Sequence, residues 1–174
     1  MAVRKIRIYG DPVLRKMAEP VEAIDDEIRE LAADMLETMY ANNGVGLAAN
    51  QVGVLRRIIV VDTQSEEDDP GPKVFINPVI RNPKGAEVME EGCLSIPDIR
   101  ADVKRAKEFD FEALDLDGNR VAFHADGLLA RIILHEVDHL NGRLFVDYLS
   151  PVKKMMLKDQ LKKLEQKALA MQAA

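Results

Sequence analysis

The chain has 174 residues (19.5 kDa), 47% hydrophobic and 31% charged, a composition that fits one folded globular domain and excludes disorder over the whole chain. Its 24 basic and 30 acidic side chains give a net charge of −6, which argues against a DNA-coating protein. With Cys93 as the sole cysteine no intramolecular disulfide can form, so any chemistry of that thiol is metal, nucleophilic or redox chemistry, and the only histidines are His124, His135 and His139. The opening reaches Gly10, Asp11 and Pro12 before any apolar stretch of secretory length, and no window approaches the roughly 20 apolar residues of a membrane span. A cytoplasmic, reducing location is expected, with no membrane partner.

In chain order, Asp11-Pro12 opens a turn or brief helix that Pro20 ends. From Asp25 to Ala41, Ile28, Leu31, Met35, Leu36 and Met39 recur at helical spacing, and Asn42, Asn43 and Gly44 break the helix. The β-branched run Arg57 to Asp62 predicts a buried strand, and Gln64 to Pro72, with Glu66, Glu67, Asp68 and Asp69, a solvated acidic loop. Further strands are expected at Lys73 to Asn77, Asp102 to Arg105 and Phe109 to Asp115, with a hairpin turn at Asp117-Gly118 leading into Arg120 to His124. Ala125 to Asn141 reads as a second long helix, and Ser150-Pro151 caps a third that runs to the C-terminus. The fold class is α+β.

The sharpest chemical signal is His135-Glu136-Val137-Asp138-His139 within the second helix. Residues four apart share a helix face, so both imidazoles reach one ion with Glu136 beside it. A catalytic metal of this kind needs a third protein ligand. The long metzincin pattern would supply a histidine where Phe145 stands, and His124 sits in a strand beside Phe123, where a structural role is expected. Asp147, Asp159 and Glu165 are downstream carboxylates without a supporting pattern; Cys93 is the better candidate, because thiolate with two imidazoles suits zinc or ferrous iron. Cys93 follows Gly92 and precedes Pro97, which suits a functional turn. A third constellation, Gly44 to Gly53 (GVGLAANQVG), matches the dinucleotide pattern GxGxxA with Asp62 further on, but it follows a helix instead of a strand.

Together GVGLAANQVG (44–53), EEGCLSIP (90–97) and LHEVDHLNG (134–142), with IYGDPVLR (8–15) near the start, closely resemble the signature segments of peptide deformylases. Leu134 stands where that family most often has glutamine. The resemblance implies antiparallel sheets packed around a central helix carrying HExxH, with a C-terminal helix. Residues 1–149 would be the catalytic metallohydrolase domain, and 150–174 a basic helix of the same domain. It further implies Cys93, His135 and His139 as metal ligands and Glu136 as the general base that takes a proton from metal-activated water. Oxyanion donors would be the Gln51 side chain and the Leu94 backbone N–H. At Gly46, the missing side chain lets backbone approach a formyl group closely. Removal of the formyl group from N-formylmethionyl nascent peptides, releasing formate, is the expected reaction. Ferrous iron is the favoured ion, with zinc, nickel or cobalt as alternatives. The competing enzyme class is an HExxH zinc endopeptidase.

From Ser150 onward six lysines stand against Asp159 and Glu165, a net charge of +4, while the rest of the chain carries −10. Leu157, Leu161, Leu164 and Ala168 form an apolar stripe that either packs on the domain, leaving lysines in water, or accompanies docking at the ribosome, as the family resemblance implies.

Overall fold

The computed structural model describes residues 2–65 and 71–173. Helix α1 (Asp26–Ala41) begins where the Asp25 carboxylate accepts the Ile28 amide at 3.0 Å, and Asp26 and Glu27 lie against the positive end of its dipole. Asp25 is thus the cap and not the first helical residue. The helix stops at Asn42, followed by Asn43 in the left-handed region (φ 57°). Ile28, Leu31, Met35 and Met39 turn inward onto a sheet.

That sheet is antiparallel and five-stranded: β1 (Gly46–Ala48), β2 (Ile58–Val61) and β3 (Lys73–Lys84) are followed in space by β6 (Glu108–Leu114) and β7 (Arg120–Asp126). All four residues of β2 are buried, because Ile58 and Val60 pack with α1 while Ile59 and Val61 pack on the opposite face. A strand covered on both sides needs no polar alternation, which is why Arg57 to Asp62 reads as a continuous apolar run. The expected end of β3 at Asn77 was too early. Asn77 takes φ 53° at a register shift, its side chain holds both the amide and the carbonyl of Val21 at 2.9 Å, and the strand resumes beyond Pro78.

The opposite sheet face is covered by α2 (Gly127–Leu140), the helix that carries the two spaced histidines. It starts two residues later than expected, since Ala125 and Asp126 still belong to β7. A separate hairpin, β4 (Glu87–Cys93) and β5 (Ile96–Arg105), turns at Leu94-Ser95. Of this hairpin the sequence reading gives only Asp102 to Arg105; the start of β4, Glu87 to Glu90, is exposed throughout, and its two apolar residues, Val88 and Met89, are adjacent and show no alternation. Ile96, Ile99, Ala101 and Val103 of β5 join Leu14, Leu144, Phe145, Val146, Leu149 and Leu157 in an apolar cluster of their own.

Helix α3 (Pro151–Ala173) is capped by Ser150, whose Oγ accepts the Lys153 amide at 3.2 Å. Leu157 and Ala168 are buried and Leu161 and Leu164 half-buried, so the apolar stripe packs on the domain. Lys154, Lys158, Lys162, Lys163 and Lys167 face water. The helix is seated by Gly10 (φ 103°), where a Cβ would stand 2.7 Å from the Glu165 Cα. The segment 44–53 forms β1 and a 3₁₀ turn, Ala49–Val52, closed by Gly53, with no crossover helix of the dinucleotide type. The acidic residues Glu66, Glu67, Asp68 and Asp69 lie outside the described residues. Among the described residues no helix is long and apolar enough to cross a membrane.

Candidate metal centre and its cleft

Two elements bring three donor residues to one point. His135 and His139 project from the same face of α2, with Nε2 atoms 3.3 Å apart, and Cys93 at the end of β4 brings its sulfur to 3.3 Å from His139 Nε2. All three donor atoms lie within 4.8 Å of one another. Ligands held tetrahedrally at about 2.0–2.3 Å stand roughly 3.3–3.8 Å apart, so the spacing fits a single ion. The chemistry fits as well. Two buried ring nitrogens and a thiol that face one another are poorly matched hydrogen-bond partners, and together they form a donor set for a soft or borderline divalent cation.

His135 has its orientation fixed from behind. Its Nδ1–H donates to Glu91 Oε1 at 2.8 Å, which leaves Nε2 with its lone pair toward the cluster. Glu91 in turn accepts from Arg105 Nε (2.6 Å) and Nη2 (2.9 Å) and from Arg131 Nη1 (2.7 Å). Burial opposes the charge on Glu91, but His135 and Arg105 outweigh it and hold the carboxyl well below the usual carboxylate range. Arg105 also donates to Asp138 Oδ2 (2.7 Å), which accepts the Tyr148 hydroxyl at 2.7 Å. Arg131 reaches the backbone carbonyls of Val103 and Glu87, tying the hairpin to α2. These partners were missed from the sequence, although Arg131 is conspicuous there as the one charge in the run Gly127 to Leu134.

Glu136 is buried at 4% exposure, and its Oε1 has no hydrogen-bond partner within the protein. Burial pushes its carboxyl up to about 7. Its Oε2 occupies the space beside Gly46, where a Cβ would come within 2.6 Å. The glycine therefore makes room for the carboxylate, a tighter reason for its presence than close approach of a substrate. Gln51 sits in the 3₁₀ turn with its Oε1 accepting the Ala48 amide (2.9 Å), and its Nε2 lies 3.1 Å from Ser95 Oγ and 3.5 Å from Cys93 Sγ. Leu94 follows Cys93 in the hairpin turn. His124 is apart from all of these, exposed on β7, with Nδ1 2.9 Å from Asp110 Oδ1 and Nε2 3.5 Å from Glu108.

The centre opens into a cleft of about 700 Å³ bounded by Val45 and Gly46, residues 90–94 and 96–100 of the hairpin, and Leu128 and Ile132 of α2. A cleft beside a cluster of three metal-type donors and a buried carboxylate is the arrangement that metal-dependent hydrolases use.

Comparison with known proteins narrows the class. Residues 3–155 match the family model described as polypeptide deformylase. Peptide deformylase of Alkalilimnicola ehrlichii is 51% identical over 164 residues, covering 94% of this chain and 92% of that protein; that of Rhizobium meliloti is 50% identical, covering 90% and 91%. Among solved structures, a peptide deformylase from Legionella pneumophila superposes with TM-score 0.87 at 44% identity, covering 95% of this chain and 96% of that one. One from Ehrlichia chaffeensis in complex with actinonin superposes with TM-score 0.88 at 40% identity, covering 96% and 98%. This chain belongs to the polypeptide deformylase family, metal-dependent hydrolases that remove formyl groups from newly made proteins. The endopeptidase alternative is not favoured.

Proposed function

We propose that Cys93, His135 and His139 hold one divalent ion and that Glu136 is the general base. The observation that carries this is the convergence of those three donor atoms within 4.8 Å beside a buried carboxylate. An ion bound there supplies Lewis acidity at the formyl group. Glu136, with one oxygen free of protein partners, takes a proton from the attacking water and returns it to the departing amine. The Gln51 amide and the Leu94 N–H are proposed to donate to the oxyanion that develops on the formyl oxygen, an arrangement that excludes reorganisation at the moment of reaction. The cleft receives the N-terminal methionine of an extended formylated peptide.

Ferrous iron is the proposed native ion on the family resemblance alone; a thiolate with two imidazoles also suits zinc, nickel and cobalt. Actinonin, bound by the Ehrlichia relative, is expected to occupy the cleft of this chain and compete with peptide. Residues 1–149 and 150–174 are read as one domain, in keeping with Leu157 sharing an apolar cluster with Phe145 and Ile96. The five exposed lysines of α3 are proposed to meet ribosomal RNA, which gives co-sedimentation a steep salt dependence that is lost when 151–174 are removed.

The deciding measurement is formate release from formyl-Met-Ala-Ser by the metal-loaded protein, with and without chelator, beside Glu136→Ala. Release that a chelator abolishes and Glu136→Ala reduces by at least 10²-fold is expected. No release by fully loaded protein overturns the reading.

A further inference from the structure

We infer that Ser95 is a positioning residue that aims the Gln51 amide at the reacting centre. The inference rests on the reading of Gln51 as an oxyanion donor and adds the group that makes it one. A primary amide can present either its oxygen or its nitrogen to a site, and its NH₂ carries two hydrogens that need separate destinations. In this chain the first ambiguity is removed by backbone. The Ala48 amide donates to Gln51 Oε1 at 2.9 Å, so Nε2 is the atom turned toward Cys93.

Ser95 resolves the second. Its side chain is fully buried, reached by neither solvent nor substrate, and its Oγ accepts one N–H from Gln51 Nε2 at 3.1 Å. With that hydrogen occupied, the other is directed toward the side of Cys93 Sγ, 3.5 Å from the nitrogen. At 3.5 Å this is an N–H···S hydrogen bond to a weak acceptor, which the N–H can exchange for a better acceptor arriving at the centre. Ser95 is itself anchored, since its carbonyl accepts the Tyr9 amide at 2.8 Å. One two-residue turn, Leu94-Ser95, therefore follows the thiol with a backbone N–H and then with the hydroxyl that orients the side-chain donor. Removing the hydroxyl while keeping the fold frees the first N–H to compete for Cys93, and the amide plane loses its pin. Because a donor contributes only when aimed at the developing charge, the loss falls on turnover and not on peptide binding.

The test is a double-mutant cycle on the metal-loaded enzyme, with metal content measured for every variant: Ser95→Ala, Gln51→Ala and both together, assayed on formyl-Met-Ala-Ser. Ser95→Ala is expected to lower kcat about tenfold with KM within about twofold and metal content unchanged, against a loss of about 10²–10³ for Gln51→Ala. In the Gln51→Ala background, Ser95→Ala should cause no further loss, and Ser95→Thr, which keeps the hydroxyl, should recover most of kcat in the parent. A kcat for Ser95→Ala within about twofold of the parent, a loss that multiplies with that of Gln51→Ala, or a loss explained by missing metal each overturns the inference while leaving the role of Gln51 intact. Full kcat in Gln51→Ala is the separate outcome that removes the donor reading itself.

Discussion

His135 Nδ1 lies 2.8 Å from Glu91 Oε1, and the four short contacts on that carboxylate join the two bodies that build the centre. The hairpin that carries Cys93 packs mainly in one apolar cluster and the helix that carries both histidines in another. Glu91→Gln leaves Arg105 and Arg131 short of a buried counter-charge. A loss of about 3 kcal/mol in denaturant unfolding is expected, because breaking a buried pair strands the remaining charge. Metal affinity should fall by about 10–100-fold in a competition titration, the usual cost of removing a partner behind a ligating histidine.

Gly46→Ala places a methyl group 2.6 Å from Glu136 Oε2 and 2.8 Å from Ile132 Cγ2. The expected result is a drop in kcat of about 10²-fold, since a displacement near 1 Å at the base is enough. Thermal unfolding should shift by the equivalent of about 1–3 kcal/mol for overpacking. Metal content should stay full, which separates this variant from a ligand substitution.

Removing the ion tests the centre as a structural joint. Chelated protein should unfold at a lower temperature, and adding back metal should restore the midpoint in a concentration-dependent way, as linkage requires for a ligand bound only by the folded state. Cys93→Ala and His139→Ala should each lose the ion and abolish that recovery. Recovery of the midpoint by either variant at parental metal concentration contradicts the proposed ligand set.

Tyr40 donates to Asp62 Oδ2 at 2.5 Å, holding the end of α1 against the end of β2. Burial, and then the bond to Asp62, push the tyrosine up to about 12. The ordinary tyrosine value is about 10. A group whose folded pKa is raised contributes stability in full below its unfolded value and loses it as the pH rises through the folded one. Unfolding free energy should therefore fall between pH 10 and 12. Tyr40→Phe should show a shallower decline over that window and, with the hydrogen bond gone, lower stability at pH 8. Equal slopes in the two proteins would contradict the assignment.

Gly10→Ala meets a positive φ and a Cβ position 2.7 Å from the Glu165 backbone, so it should unseat α3. Amide exchange in 157–168 should accelerate while formate release stays close to the parent value, because Gly10 touches no part of the cleft.

Much of this was legible in the amino-acid order. The spacing of His135 and His139 puts both imidazoles on one helix face, and the helical recurrence of Ile28, Leu31, Met35 and Met39 declares α1. Donor chemistry singled out Cys93 and Glu136, motif likeness added Gln51, Leu94 and Gly46, and the fold brings all of them to one cleft. What escaped was set by partners distant in sequence. Glu91 looks like one more surface acid until Arg105, 14 residues on, and Arg131, 40 residues on, fold over it. Strand β4 went unseen because its first four residues are exposed and its pairing partner supplies the apolar side. At Asn77-Pro78 the proline reads as an ending, whereas a left-handed asparagine held by Val21 turns it into a bulge.

The separation of the three donors along the chain gives the centre an order of assembly. His135 and His139 come into register as soon as α2 winds, a local event, whereas Cys93 is 46 residues from His139 and must wait for the hairpin to dock. Two of the proposed ligands are thus local to one helix, and the third depends on tertiary docking. Metal capture is therefore expected to report that docking: during refolding, tight binding should appear together with the hairpin's tertiary contacts and not with helix formation.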